Sequence, residues 1–192
     1  MGIKALAQRQ LDFVVPACRA YFKNQIGKAI DLGAGLGIQM SALRAEGIIS
    51  SATCIDTPFV SPLGKEQSPE HTWIGGDLRN LNTDAIPTAD LLWVGNLLHH
   101  YDLNANFGIL NRFASKLSPN GIIVIQDYVV GSPGLLGLAA AALGVHFALT
   151  TNEGRNYSEK SISALCEEVF PEHKLDSRAD GQFSSLLFYR KS

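Results

Sequence analysis

The segment Ala29-Ile-Asp-Leu-Gly-Ala-Gly-Leu-Gly37 limits the folds open to this chain more than any other stretch. A short apolar run ends in glycines at three alternate positions, 33, 35 and 37. It reads as a buried strand running into a turn where the backbone reverses sharply and can approach a ligand closely. Residues 38–46 then start a helix whose first amides face the same point. Alone, such a turn is a weak signal of nucleotide binding, and its neighbours decide its meaning.

The chain has 192 residues, 46% of them hydrophobic, enough to bury one substantial core in about one domain. Ile3, Ala7, Leu11, Val14, Cys18 and Tyr21 recur at helical spacing, with Pro16 expected to kink or divide that helix. Strands are read at 28–32, 52–55, 71–74, 89–94 and 122–125. Gly47 caps the helix after the first strand, and the prolines at 58 and 62 mark 57–68 as a loop with room for one helical turn. Leu103, Phe107, Leu110, Ala114 and Leu117 define an amphipathic helix closed by a Ser118-Pro-Asn-Gly121 turn. A Gly/Ala/Leu-rich helix spans 135–149, and Ser158 caps a helix carrying Ile162, Leu165, Cys166 and Val169 on one face. Residues 174–179 and 183–190 flank Asp180-Gly181 as a hairpin.

Strands alternating with helices imply an α/β fold, a mostly parallel sheet covered on both faces. Such sheets bind ligands beyond the carboxyl ends of their strands. Those positions hold the glycine turn, Asp56, Asp77, Asn96 with His99 and His100, and Asp127 with Tyr128. Polar groups recurring at every strand end outweigh the bland reading of solvated loops.

Net charge is -2 and the basic residues are scattered, which argues against nucleic acid and membrane surfaces and for a small-molecule partner. Cys18, Cys54 and Cys166 read as reduced core thiols, hence a cytoplasmic setting. The 135–149 stretch is too short and too broken by glycine to span a bilayer, and the N-terminus lacks a long apolar run. No metal is expected, because no carboxylate cluster of the kind a hard cation prefers is evident. His71 and His173 lack partners in sequence and read as surface residues.

A dinucleotide fingerprint needs G-x-G-x-x-G, and Ile38 stands where its third glycine would fall, against a nicotinamide-dependent oxidoreductase. With Asp31 ahead of Gly33, Gly35 and Gly37, Asp56 after strand two and Gly75-Gly76-Asp77 after strand three, the chain resembles the Rossmann-like S-adenosylmethionine-dependent methyltransferases. Asp56-Thr-Pro-Phe-Val60, Gly75-Gly-Asp-Leu78, Asn96-Leu-Leu-His-His-Tyr-Asp102, Leu117-Ser-Pro-Asn-Gly121 and Gly154-Arg-Asn-Tyr-Ser158 narrow the resemblance. They are similar, in order and spacing, to the small-molecule O-methyltransferases of plant phenolic and bacterial polyketide or carotenoid type, over about residues 3–190.

The resemblance implies a seven-stranded, mostly parallel sheet with a C-terminal antiparallel hairpin, residues 1–27 forming an N-terminal packing helix and 28–192 the methyltransferase domain. It implies S-adenosyl-L-methionine as cofactor, held by Asp31, Gly33, Gly35, Gly37, Asp56, Thr57, Gly76, Asp77, Leu78 and Asn96. Asp56 suits the ribose hydroxyls and Asp77 the adenine amino group. His99 takes the place of the family's general base and Asp127 that of the carboxylate orienting it; His100, or a pair of histidines that only packs, stays open as an alternative. Asn156 replaces a second family carboxylate and Gly95 a family lysine near adenine. His100, Tyr128, His146, Phe147 and Asn156 are the candidate acceptor contacts, and Trp93 reads as core or as flanking adenine. The family's large N-terminal helical domain has no counterpart in the roughly 28 residues before strand one, so closure over the acceptor falls to 135–149, to 57–68 or to a partner subunit, and homodimerisation stays open. The implied reaction is methyl transfer to a hydroxyl of a hydrophobic small molecule; proximity transfer to an N, S or C nucleophile, or a non-catalytic accessory protein, are the alternatives.

Overall fold

Strand β1 (Ile26–Leu32) pairs in parallel with β2 (Ile49–Asp56) on one side and β4 (Ala89–Gly95) on the other in a computed structural model. The structure describes residues 3–132, 134–150, 153–182 and 184–192. Strand β3 (Thr72–Gly75) lies outside β2, and β5 (Leu117–Asp127) lies beside β4. The last two strands, β6 (His173–Asp180) and β7 (Ser185–Lys191), are antiparallel, with β7 inserted next to β5. The strand order is β3-β2-β1-β4-β5-β7-β6, a mostly parallel, seven-stranded sheet with a terminal antiparallel hairpin, as the family resemblance implies.

Alternation along β4 shows how the sheet buries both faces. Leu92 and Val94 join Ile30, Leu32 and Ile125 in one core cluster, while Leu91 and Trp93 join Ala29, Cys54 and Val124 in another. Helices α1 (Ile3–Tyr21) and α2 (Ile38–Ala45) cover the second cluster through Val14, Cys18, Met40 and Leu43. Helices α4 (Leu103–Ala114) and α6 (Glu159–Val169) cover the first through Ile109, Leu110, Phe113, Ile162 and Leu165. Ser158 caps α6 by accepting from the Ser161 amide at 3.1 Å, and Gly47 closes α2 with φ +67°. Cys18, Cys54 and Cys166 are free and buried.

Several local expectations are corrected. Pro16 does not divide α1. The 57–68 segment contains helix α3 (Ser61–Gln67), with Pro62 in its first turn, where a missing amide costs nothing. Residues 118–121 lie inside β5 and not in a turn; the ladder to β4 shifts there, between Ala89 and Leu91. The buried stripe of α4 is Asn106, Ile109, Leu110 and Phe113, and Leu103 is exposed. Asn106 goes inside because its amide donates to the carbonyls of Leu98 (2.9 Å) and Tyr101 (3.2 Å). His71 and His173 are both buried. Ser41 Oγ lies 3.2 Å from His71 Nε2, and the Gly121 carbonyl oxygen lies 3.0 Å from His173 Nε2. Phe183, read as the start of the last strand, lies outside the described residues, as do the side chains of Ile3 and Ala7.

Candidate active site

The carboxyl ends of β1, β2, β4 and β5 meet at one edge, which carries two distinct groups of side chains. At the first, Gly33, Gly35 and Gly37 all have positive φ, between +57° and +73°. A Cβ on Gly35 would meet open space, so the positive φ, which L side chains rarely adopt, is what calls for glycine there. The Gly35 amide donates to Asp56 Oδ2 at 2.7 Å, and the Thr57 amide donates to Asp56 Oδ1 at 2.7 Å. The Gly76 amide reaches the Asp56 carbonyl at 2.9 Å. Asp31, at the end of β1, is buried; that burial and, second, the Asp56 charge push its carboxyl up to about 8. Gly33 and Gly35, with Gln10, Gln39, Gly95 and Asn96, line a cavity of about 160 Å³. Asn96 adopts φ +53°, a left-handed backbone that asparagine tolerates better than most residues.

Asp77 forms a fork with Arg79, whose Nη2 donates to Oδ2 at 2.8 Å and holds that carboxyl below its usual range. Leu78 beside it is buried. Gly37 faces away from the cavity, and a side chain there would strike Trp73 Cζ2 at 2.9 Å.

The second group surrounds the 3-10 turn Leu98–His100 that follows β4. His99 Nδ1 and Asp127 Oδ1 are 2.6 Å apart, and both side chains are buried. The amides of Tyr128 (2.8 Å) and His99 (3.3 Å) also donate to the Asp127 carboxylate. Surrounded by donors, Asp127 is an acceptor, so His99 Nδ1 carries the proton toward it and Nε2 is the ring nitrogen turned away from Asp127. Phe147, from the uncharged helix α5 (Gly134–Thr150), stacks on the His99 ring with centroids 4.4 Å apart and planes 17° apart. Tyr128 is buried with its ring 5.4 Å from that of His99. His100 lies 4.2 Å from His99, ring to ring; burial first, then the neighbouring His99, lowers its pKa.

A model of the O-methyltransferase domain matches residues 8–169, most of the chain. The chain belongs to the O-methyltransferase family. It is 29% identical over 135 residues to the tetracenomycin polyketide synthesis 8-O-methyl transferase TcmO of Streptomyces glaucescens, covering 67% of this chain and 39% of that protein. In fold it is similar to human N-acetylserotonin methyltransferase solved in complex with SAM (TM-score 0.80, 18% identity, 98% of this chain and 54% of that one). It is also similar to NcsB1 from neocarzinostatin biosynthesis, solved with SAM and 2-hydroxy-5-methyl naphthoic acid (TM-score 0.76, 16% identity, 98% and 56%). The chain thus spans under two fifths of the curated relative and just over half of each solved protein.

Seen as an O-methyltransferase domain, the edge brings Asp56, Thr57, Gly35 and Gly76 together at one end and His99, His100, Asp127, Tyr128 and Phe147 at the other. Asn156 joins neither group. Its amide donates to the Ala140 carbonyl of α5, so it ties the 153–157 loop to that helix. His146 is exposed, 5.8 Å ring to ring from Phe147. Trp93 is fully buried. Sequence reading missed Gln10, Gln39 and Gln126, whose amides gather beside the glycine turn. Three glutamines 29 and 87 residues apart carry no spacing signal in a single chain. Among the described residues, no group of three or more His, Cys, Asp or Glu could hold a metal ion, and no helix is long and apolar enough to cross a membrane.

Proposed function

We propose that the chain binds S-adenosylmethionine and catalyses methyl transfer to a hydroxyl of a hydrophobic, ring-containing small molecule, with His99 as general base. The observation that carries this reading is the buried 2.6 Å contact between His99 Nδ1 and Asp127, set beside a glycine turn and the Asp56 carboxylate on the same sheet edge.

The residues present fit the cofactor. Asp56 uses one lone pair on each oxygen for the Gly35 and Thr57 amides and keeps others for ribose hydroxyls. Gly33, Gly35 and Asn96 border a cavity, and Asp77 is held as an ionised acceptor for an adenine amino group. When bound, the cofactor supplies a methyl group on a positively charged sulfur.

The chain's own residues then have two tasks. Asp127 holds the His99 ring so that Nε2 accepts the proton of an acceptor hydroxyl, which contributes roughly 10²–10⁴-fold. Phe147, stacked on His99, keeps water from the ring and offers a flat apolar face to an aromatic acceptor. The three buried free thiols support a reducing, cytoplasmic setting.

The test is methyl transfer from labelled S-adenosylmethionine to a panel of hydroxylated mono- and polycyclic aromatics. His99→Ala is expected to bind S-adenosylhomocysteine as wild type does and to lose at least 10²-fold in turnover. Turnover unchanged by that substitution would overturn the base assignment. Transfer only to thiol or amine acceptors would overturn the hydroxyl assignment.

A further inference from the structure

A chain of side-chain amides runs through the interior beside the glycine turn, and its polarity can be assigned from one end. Trp93 is fully buried and its indole N–H can only donate; it does so to Gln39 Oε1 at 3.0 Å. The Gln39 oxygen is therefore fixed toward Trp93, and its NH2 faces Gln126 Oε1 at 2.6 Å and Gln10 Oε1 at 3.5 Å. Gln126 is fully buried and passes its own NH2 to Ser184 Oγ at 3.2 Å. Gln10 Oε1 also accepts from Asn96 Nδ2 at 3.1 Å.

One pair is left over. Among the described residues, the Gln10 NH2 and the Asn96 Oδ1 have only each other, at 3.5 Å, the outer limit of a hydrogen bond. Both residues line the 160 Å³ cavity with Gly33 and Gly35. Gln10 is buried and lines this cavity, so an occupant of the cavity is within reach of its spare donor capacity. A donor and an acceptor with unused capacity, side by side in one cavity, match the carboxylate and ammonium of an α-amino acid. Gly95 preserves the arrangement, since a Cβ there would lie 2.6 Å from Trp93 Nε1 and 2.9 Å from Gln39 Oε1.

We propose that Trp93 is a positioning residue: through Gln39 it sets the polarity of this buried chain, so that Gln10 presents its NH2 and Asn96 its carbonyl oxygen to the amino-acid end of the cofactor. The inference rests on the cofactor reading above. It makes Gln10 a contact to the cofactor's carboxylate and assigns Trp93 a role at a distance from any ligand.

Calorimetry on the full chain with two ligands tests it. S-adenosylhomocysteine carries the amino-acid end, and 5′-methylthioadenosine lacks it. Gln10→Glu replaces the donor with an anion and is expected to weaken S-adenosylhomocysteine by about 10–100-fold while leaving methylthioadenosine within about twofold. Trp93→Phe keeps an aromatic body in the core but frees Gln39 to turn over; a selective loss of about 3–10-fold for S-adenosylhomocysteine is expected. Should that variant fail to fold, Gln39→Leu breaks the same link from a half-buried position, with the same selective loss expected. Equal losses for the two ligands would reduce the chain to a structural element and overturn the proposal. So would S-adenosylhomocysteine affinity in Gln10→Glu equal to wild type, in which case the cofactor reading stands. Wild-type protein that binds neither ligand overturns both.

Discussion

At the β1–β2 end of the sheet edge, Asp56 is held by two backbone amides at 2.7 Å each, and the surrounding turn is glycine and main chain. At the β4–β5 end, the working contacts are between side chains: His99 to Asp127 at 2.6 Å, and His99 against Phe147 at 4.4 Å. The first end takes its shape from strand register, and few substitutions could be tolerated without moving the main chain. The second takes its shape from rotamers on β5 and on α5, a helix with no charged residue. In the proposed reading, the invariant ligand is assigned to the end built from backbone, and the variable acceptor to the end built from side chains. Substitutions at the two ends should therefore separate cleanly into binding and turnover effects.

The largest effect is expected at Asp127. Asp127→Asn keeps the shape but removes the charge that holds the proton on His99 Nδ1, and an amide in its place can turn its NH2 toward the ring and fix the wrong tautomer. Turnover should fall by roughly 10²-fold or more, with affinity for S-adenosylhomocysteine unchanged. A matching loss of affinity would break the separation of the two ends.

Asp56→Ala is the complementary test. It leaves the Gly35 and Thr57 amides without their acceptor and removes the carboxylate offered to a ribose. Affinity for S-adenosylhomocysteine should fall about 10–100-fold by calorimetry, while turnover at saturating cofactor stays near wild type.

The positions of these two residues were legible in the sequence because each ends a strand of a parallel sheet, where ligands bind; the roles proposed for them came from the family resemblance. The parallel sheet was legible for the same kind of reason, apolar runs of strand length alternating with helices, and the terminal hairpin from Asp180-Gly181 between two such runs, whereas the order of the strands was not read from the sequence. What sequence hid was polar burial. His71 and His173 read as surface residues until the Ser41 hydroxyl and the Gly121 carbonyl beside them are known, and Asn106 carries no burial signal until the Leu98 and Tyr101 carbonyls are; those partners are fixed only by tertiary structure. The Gln39–Gln126 contact joins residues 87 positions apart and is hidden likewise. Asn156 was legible as a position but not as a partner, because its bond to Ala140 depends on where α5 docks.

A third prediction sharpens the β1–β2 end through pH. Asp31 is raised to about 8 in the folded chain, against an ordinary carboxyl near 3.8. Between those values the folded protein keeps a proton that the unfolded chain has released, so stability falls as pH rises through that window. Asp31→Asn has no such proton to lose. Relative to wild type its stability should rise by about 1–3 kcal/mol between pH 5 and pH 8, read as the difference between the two proteins' denaturant midpoints; His71 and His100, whose pKa values are lowered, act in the opposite sense but equally in both proteins. A midpoint difference between the two proteins that does not grow between those pH values would show that Asp31 does not hold that proton in the folded chain.

The smallest effect belongs to Phe147 at the β4–β5 end. Its ring lies 17° from parallel with His99, the geometry an aromatic acceptor would also present to a flat face. Phe147→Leu retains apolar volume and removes the stacking surface, worth about 0.5–1.5 kcal/mol beyond area burial. KM for an aromatic acceptor should rise about 2–10-fold, with turnover at saturation little changed and affinity for S-adenosylhomocysteine the same. The opposite split, a fall in turnover at constant KM, would mean that Phe147 holds the His99 ring in place for proton transfer. The β4–β5 end would then be preorganised by α5 as firmly as the β1–β2 end is by its main chain, and the contrast between them would be one of material and not of rigidity.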